Sequence, residues 1–168
     1  MTLKLYGHLF SSYTWKALIA LYANATPFEF RGLGEGIADN DAFVAAASPQ
    51  GKFPVLADGE RVVFEATAII EYLHLHHPGP APLLPADADA AVQVRMLDRV
   101  FDNWVMAIVQ EAVAEAIRSG ALSEATRADV AARLERSYRW IDQWLAGYPQ
   151  GEAISLIECA AAPSLFYA

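Results

Sequence analysis

The sequence predicts an α/β first half followed by an all-α second half. Three observations carry that reading. Short β-like runs alternate with helical ones up to about Pro78, a proline-rich stretch then interrupts both, and only helical periodicity follows it. In chain order, residues 3–6, 27–31, 53–56 and 61–64 read as strands, and residues 13–23, 38–47 and 65–76 as helices, the middle one weak and short. In the third of these, Ala66, Ile69, Ile70 and Leu73 recur at i, i+3, i+4 and i+7, which gives one buried face. Asp58-Gly59 between two β-like runs is a hairpin signal, so the first half is expected to be a small mixed sheet with helices packed on it. The run from Pro78 to Pro85 cannot continue a helix and reads as an interdomain linker. Beyond it, Leu97, Val100, Phe101, Trp104, Val105, Ile108 and Ala112 form a long apolar stripe. A second helix from about Ser123 carries Val130, Leu134, Tyr138, Ile141 and Leu145, with Gly147 as its C′ stop. A third begins at ISLIEC, where Ser155 and Glu158 make a capping box and Ile154 and Cys159 a hydrophobic staple, with Pro163 inside the helix.

Composition narrows the function. A net charge of −8 and only 12 scattered basic residues argue against nucleic acid, whose phosphates need concentrated Lys and Arg. No apolar run approaches the roughly 18–20 residues that span a bilayer, and the N-terminus has no basic-then-apolar signal pattern, so a cytoplasmic protein is expected. The single cysteine, Cys159, fits a reducing compartment and a core position. His74, His76 and His77 lack Asp or Cys at convincing spacing, and no metal is expected.

Three short stretches could carry chemistry. The strand-to-helix corner FSSYTWKALIAL places hydroxyls at Ser11, Ser12 and Thr14, where a related fold class carries Cys-x-x-Cys. Serines there are most simply N-caps, and the absence of a corner thiol excludes disulfide exchange. In SPQGKFPVLADG, Pro54 is either a plain trans edge proline or follows a cis Phe53–Pro54 bond that would turn the Phe53 backbone toward a bound peptide. In FEATAIIEYL, the first backbone N–H groups of the helix suit a carboxylate. Glu65 either grips a ligand ammonium or simply sits favourably at a helix N-terminus.

Taken together, Tyr6 through Leu21, Lys52-Phe53-Pro54, FEATAIIEYL, the Pro-rich stretch, the long paired helices and the SLIEC capping box resemble the soluble, cytosolic glutathione S-transferases over nearly the whole chain. The resemblance is to bacterial, serine-type members, and Ser11-Ser12-Tyr13-Thr14-Trp15-Lys16 is similar to the corner of zeta-class sequences. It implies a thioredoxin-like glutathione-binding domain over residues 1–77, a linker over 78–88 and a helical domain over 89–168, with a cis Pro54 and usually a homodimer. It also implies further helices after the capping-box helix, so this chain is expected to lack the last ones.

By the same resemblance, glutathione is the co-substrate, and Ser11 is the residue that activates its thiol, with Ser12 and Thr14 in reserve. A free thiol has a pKa of about 8.5. Lowering it by about two units needs only roughly 2.7 kcal/mol, within reach of one hydroxyl donor and a helix N-terminus. Lys52, Phe53, Pro54, Glu65, Ala66 and Thr67 are the implied glutathione contacts. Ala66 stands where the family commonly has a serine for the γ-glutamyl carboxylate, which leaves its backbone N–H and the displaced Thr67 hydroxyl. His8, Leu9 and Phe10 from the loop and Phe101, Trp104 and Met106 from the long helix are candidates for a site that takes a small apolar electrophile, although Trp104 also fits the core stripe. The expected activity is a detoxifying glutathione transferase. A zeta-like isomerase that regenerates glutathione, or a non-catalytic binding protein that keeps the fold, are the alternatives.

Overall fold

The computed structural model describes residues 2–148 and 153–168. Four strands, β1 (Leu3–Gly7), β2 (Phe28–Gly32), β3 (Val55–Asp58) and β4 (Arg61–Phe64), form one sheet in the order β2-β1-β3-β4. β1 and β2 are parallel and joined through α1 (Ser12–Ala23), whereas β3 lies antiparallel to both β1 and β4. α2 (Ala38–Ala47) and α3 (Ala66–His76) complete this half, in the expected thioredoxin-like arrangement. β3 begins two residues later than the sequence suggests. Proline has no N–H to give a ladder, and pairing starts at Val55, opposite Phe64 and Tyr6. Asp58 pairs with Arg61, so the hairpin turn itself is Gly59-Glu60, with Gly59 at φ 62°. At the other end of β1, a Cβ on Gly7 would lie 2.6 Å from the Thr14 side chain; only glycine lets α1 start this close to the strand.

The second half consists of α4 (Ala88–Val100), α5 (Ala107–Ser119), α6 (Glu124–Leu145) and α7 (Leu156–Tyr167). α4 and α5 are one continuous rod through a π-helical stretch, Phe101–Met106. That stretch corrects the expected stripe. In a π turn the repeat is five residues rather than four, and the buried pairs are accordingly Val100 with Val105 and Phe101 with Met106. Trp104, expected in the core by α-helical spacing, is rotated out and is 52% exposed. On α6, Val130, Leu134 and Ile141 are buried as expected, but Leu145 is exposed.

The two halves share one core. Leu5, Leu21, Leu56, Ile69 and Leu73 belong to the same buried cluster as Leu97, Phe101, Val105, Leu156 and Ile157. The proline-rich stretch is docked on it rather than loose. Leu83 and Leu84 are buried, the Ala81 N–H donates to Asn24 Oδ1 at 2.7 Å, and the Leu156 N–H donates to the Leu83 carbonyl at 2.8 Å.

Within this apolar setting lies a cluster of charge. Lys16 of α1 is almost wholly buried and donates to Asp102 at 2.7 Å and to Thr67 Oγ1 at 2.9 Å, while also pairing with the buried Asp98. Arg99 closes the cluster against Asp98 and Asp102. Two cations and two carboxylates balance, and the hydroxyl of Thr67 donates to Asp98 at 2.9 Å. α1, α3 and α4 are thereby tied at one point.

α7 starts as expected. The Ile157 N–H donates to Ser155 Oγ at 3.1 Å, the Ser155 N–H donates to Glu158 at 2.7 Å, and Cys159 lies wholly in the core. Burial raises the Cys159 thiol to about 12, so it stays protonated. The Ser155→Ala variant should lose about 1 kcal/mol of unfolding free energy, measured by urea denaturation. An unchanged midpoint would mean the box does not hold α7.

Candidate functional site

Three backbone features meet at one cleft of about 190 Å³. The first is the start of α1, where Tyr13 borders the cleft two residues after the N-cap Ser11, whose side chain accepts the Thr14 N–H at 3.2 Å. The second is the entry to β3, where Ser48, Lys52, Phe53 and Pro54 form one wall and the Phe53–Pro54 bond is cis. The third is the β4–α3 corner, where Glu65 and Ala66 form a second wall.

Glu65 has φ 70° and ψ 119°, a conformation that costs a non-glycine residue about 1–3 kcal/mol. It is the N-cap of α3, yet among the described residues no side chain caps that helix. Its first N–H groups therefore reach the cleft without a side-chain partner, and with the helix dipole they favour an anion. Lys52 and Arg99 add positive charge to the rim, and the Glu65 carboxylate adds one negative site, suited to an ammonium.

Several expected residues are not brought here. The Thr67 hydroxyl is engaged by Lys16, Asp98 and Arg99, because one residue along α3 turns the side chain about 100° away from Ala66. It is part of the charge cluster rather than a ligand contact. Ser12 and Thr14 are buried, Thr14 against Gly7, and neither reaches the cleft. Ser11 is half-buried and does not line the cleft. Its oxygen accepts within the cap, which leaves its hydroxyl proton to donate.

The expected electrophile site is not assembled as one surface. Phe101 and Met106 are 2% and 1% exposed and belong to the core, Phe101 within the expected stripe and Met106 brought onto it by the π stretch. Trp104 instead borders a separate groove, its ring set edge-on to Trp140 at 6.2 Å beside Arg133 and Arg136. His8 lines a neighbouring hollow of about 300 Å³ on the far side of Phe53. Leu9 and Phe10 are exposed at the loop. Their carbonyls accept from the Trp15 indole at 2.6 Å and the Tyr167 hydroxyl at 3.0 Å respectively.

Six cleft residues were not foreseen: Tyr13, Ser48, Phe64, Arg99, Asp102 and Asn103. A signal for the acidic member, Asp102, did exist. Asp98 and Asp102 continue the i, i+3, i+4 face of Val94, Leu97 and Phe101, so the apolar stripe itself put two carboxylates on the buried side. Burial holds the Asp102 carboxyl above the usual range, opposed by Lys16. The Tyr13 phenol is pushed up to about 12, first by burial and then by the Asp102 charge.

Among the described residues no group of three or more His, Cys, Asp or Glu could hold a metal ion, and no helix is long and apolar enough to cross a membrane.

The protein is thus a thioredoxin-like sheet followed by helices, with a cleft at the N-terminal ends of α1 and α3. The family profile for the glutathione S-transferase N-terminal domain matches residues 5–81. A maleylpyruvate isomerase from Ralstonia sp is 32% identical over 161 residues, covering 93% of this chain and 70% of the relative. A glutathione S-transferase from Pseudomonas putida is 30% identical over 163 residues, with the same two coverages of 93% and 70%. Among solved structures, a holo maleyl pyruvate isomerase described as a bacterial zeta-class glutathione S-transferase superposes with TM-score 0.79 at 30% identity, over 97% of this chain and 81% of that one. A glutathione S-transferase from Methylobacillus flagellatus with GSH bound gives 0.79 at 28%, over 99% and 82%. The chain belongs to the glutathione S-transferase family.

Replacing the strained corner residue tests its geometry. Glu65→Gly should raise the unfolding free energy by about 1 kcal/mol by relieving the positive φ, read from the urea midpoint. A loss of stability of that size would show that the side chain, not the backbone, governs the corner.

Proposed function

We propose that this chain binds glutathione in the cleft and activates its thiol for transfer to a small apolar electrophile. The observation that carries the reading is the N-terminus of α3 opening into the cleft at Glu65 and Ala66 without a side-chain cap, with Lys52 and Phe53 across from it. A tripeptide with two carboxylates, one ammonium and an extended backbone meets a matching partner at each point. Lys52 takes the glycyl carboxylate, the Phe53 backbone pairs with the cysteinyl unit, and Pro54 shapes that wall. Glu65 holds the γ-glutamyl ammonium, and the Ala66 N–H meets the γ-glutamyl carboxylate.

In this reading Ser11 donates its hydroxyl proton in a hydrogen bond to the sulfur, and the positive end of α1 adds to the stabilisation of the anion. The electrophile approaches over the exposed loop at Leu9 and Phe10, with His8 behind Phe53. No metal takes part. A 1–77 glutathione-binding unit and an 89–168 helical unit, joined by residues 78–88, act together as a cytoplasmic homodimer.

A second reading follows from the Ralstonia relative, whose name is that of an isomerase and which matches 93% of this chain. There the bound thiol adds to a double bond and leaves again, so glutathione is regenerated. Consumption of glutathione during turnover separates the two activities.

The test is a pH titration of thiolate ultraviolet absorbance for glutathione bound to the protein. The bound thiol should titrate well below the free value of about 8.5, and Ser11→Ala should move it back toward that value. Binding with an unshifted titration would contradict thiol activation and leave a glutathione-binding module.

A further inference from the structure

Position 66 poses a chemical problem. The anion-binding end of α3 begins with an alanine, so its first side chain has no hydroxyl to offer a carboxylate. What else faces that point is readable from the cleft walls. Arg99 and Tyr13, from two other helices, line the same cleft as Glu65 and Ala66.

The donor inventory of Arg99 is informative. Its Nε donates to Asp98 at 2.9 Å, and its Nη2 is shared among Asp98, Asp102 and Thr67. One edge of the guanidinium is thus held by the charge cluster. Among the described residues Nη1 has no hydrogen-bond partner, and it carries two of the five guanidinium protons. The side chain is 48% exposed, and it lines both the cleft and a neighbouring hollow on the α3 side, two faces that meet at Glu65. Held on one side and open on the other, the group loses little side-chain freedom when an anion arrives.

Tyr13 adds a neutral donor. It is the one residue of the Ser11–Thr14 corner that borders the cleft, and among the described residues its phenol has no hydrogen-bond partner. Asp102, Arg99 and Glu65, which all act on it electrostatically, line the same cleft. With its titration pushed up to about 12 it remains a donor throughout the physiological range.

We propose that Arg99 and Tyr13 bind the γ-glutamyl α-carboxylate of glutathione, supplying from α4 and α1 the donors that Ala66 lacks. The proposal rests on the glutathione-binding reading above and assigns one end of that ligand. It makes carboxylate recognition depend on the packing of the helical half onto α1, since Arg99 reaches the cleft only because Asp98 and Asp102 hold it there.

Calorimetric titration with two ligands tests it: glutathione, and 4-aminobutyryl-cysteinylglycine, which keeps the thiol and glycyl end but lacks the α-carboxylate. The variants are Tyr13→Phe, Arg99→Lys, and Tyr13→Phe combined with Ala66→Ser. Arg99→Lys keeps the charge balance of the cluster, and unfolding midpoints confirm that each variant is folded. Tyr13→Phe and Arg99→Lys should each weaken glutathione binding by about tenfold or more and change binding of the truncated ligand less than about twofold. Adding Ala66→Ser should recover part of the loss in Tyr13→Phe. Equal weakening for both ligands, or a shift of the bound thiol titration in Tyr13→Phe without loss of affinity, would overturn the assignment and place the phenol at the sulfur instead. Unchanged glutathione affinity in both single variants would overturn it while leaving the glutathione site standing. Failure of the unaltered protein to bind glutathione would overturn the site reading and this assignment with it.

Discussion

The buried cluster of Lys16, Asp98, Arg99 and Asp102 is the constraint on which the rest of the structure depends. Charges taken out of water are costly unless opposite charges and hydrogen bonds meet them, and removing one partner typically costs about 3–5 kcal/mol. Here the requirement is met only when three helices are in register: Lys16 comes from α1, Thr67 from α3 and the other three from the α4 rod. The apolar core of Leu5, Ile69, Leu97 and Phe101 supplies the driving force for docking. The cluster supplies the position, because apolar contacts tolerate sliding and a closed ion network does not.

That position decides what the cleft contains. Arg99 and Asp102 border both the cluster and the cleft, so the wall that the helical half contributes is set by the same bonds that join the halves. The other walls are local: a strand that starts after Pro54, and a corner at Glu65 that holds a disfavoured backbone conformation. Strain at the β4–α3 corner and an uncapped helix start are stability given up at the point where a ligand is proposed to bind.

The sequence was most informative where the rules are local. Strand and helix order, the capping box at Ser155, the helix start near Ser123 and the hairpin before Arg61 follow from residue type and spacing, and the structure agrees to within a residue or two. Resemblance led to Lys52, Phe53, Glu65 and Ala66, which do share a cleft. The π turn was not legible, because an extra residue in a helical repeat leaves no mark in an apolar run that can be read with either period. It moved Trp104 out of the stripe and Met106 into the core. Thr67 was misplaced for a related reason: a neighbour in sequence is a quarter-turn away on a helix. Arg99 and Tyr13 become cleft residues only through tertiary packing. The buried-face positions of Asp98 and Asp102 were in the sequence, but their partner Lys16 lies some eighty residues away.

A double-mutant cycle on Lys16 and Asp98, followed by urea denaturation, tests the central claim most directly. Lys16→Met leaves the cluster with one excess negative charge and Asp98→Leu with one excess positive charge, whereas the double variant restores the balance of Arg99 with Asp102. Each single change should cost about 3–5 kcal/mol. The double should cost less than their sum by at least about 1 kcal/mol, beyond the roughly 0.3–0.5 kcal/mol scatter of independent sites. Additive losses would contradict the account, because the two charges would then be held by the fold separately instead of holding it together.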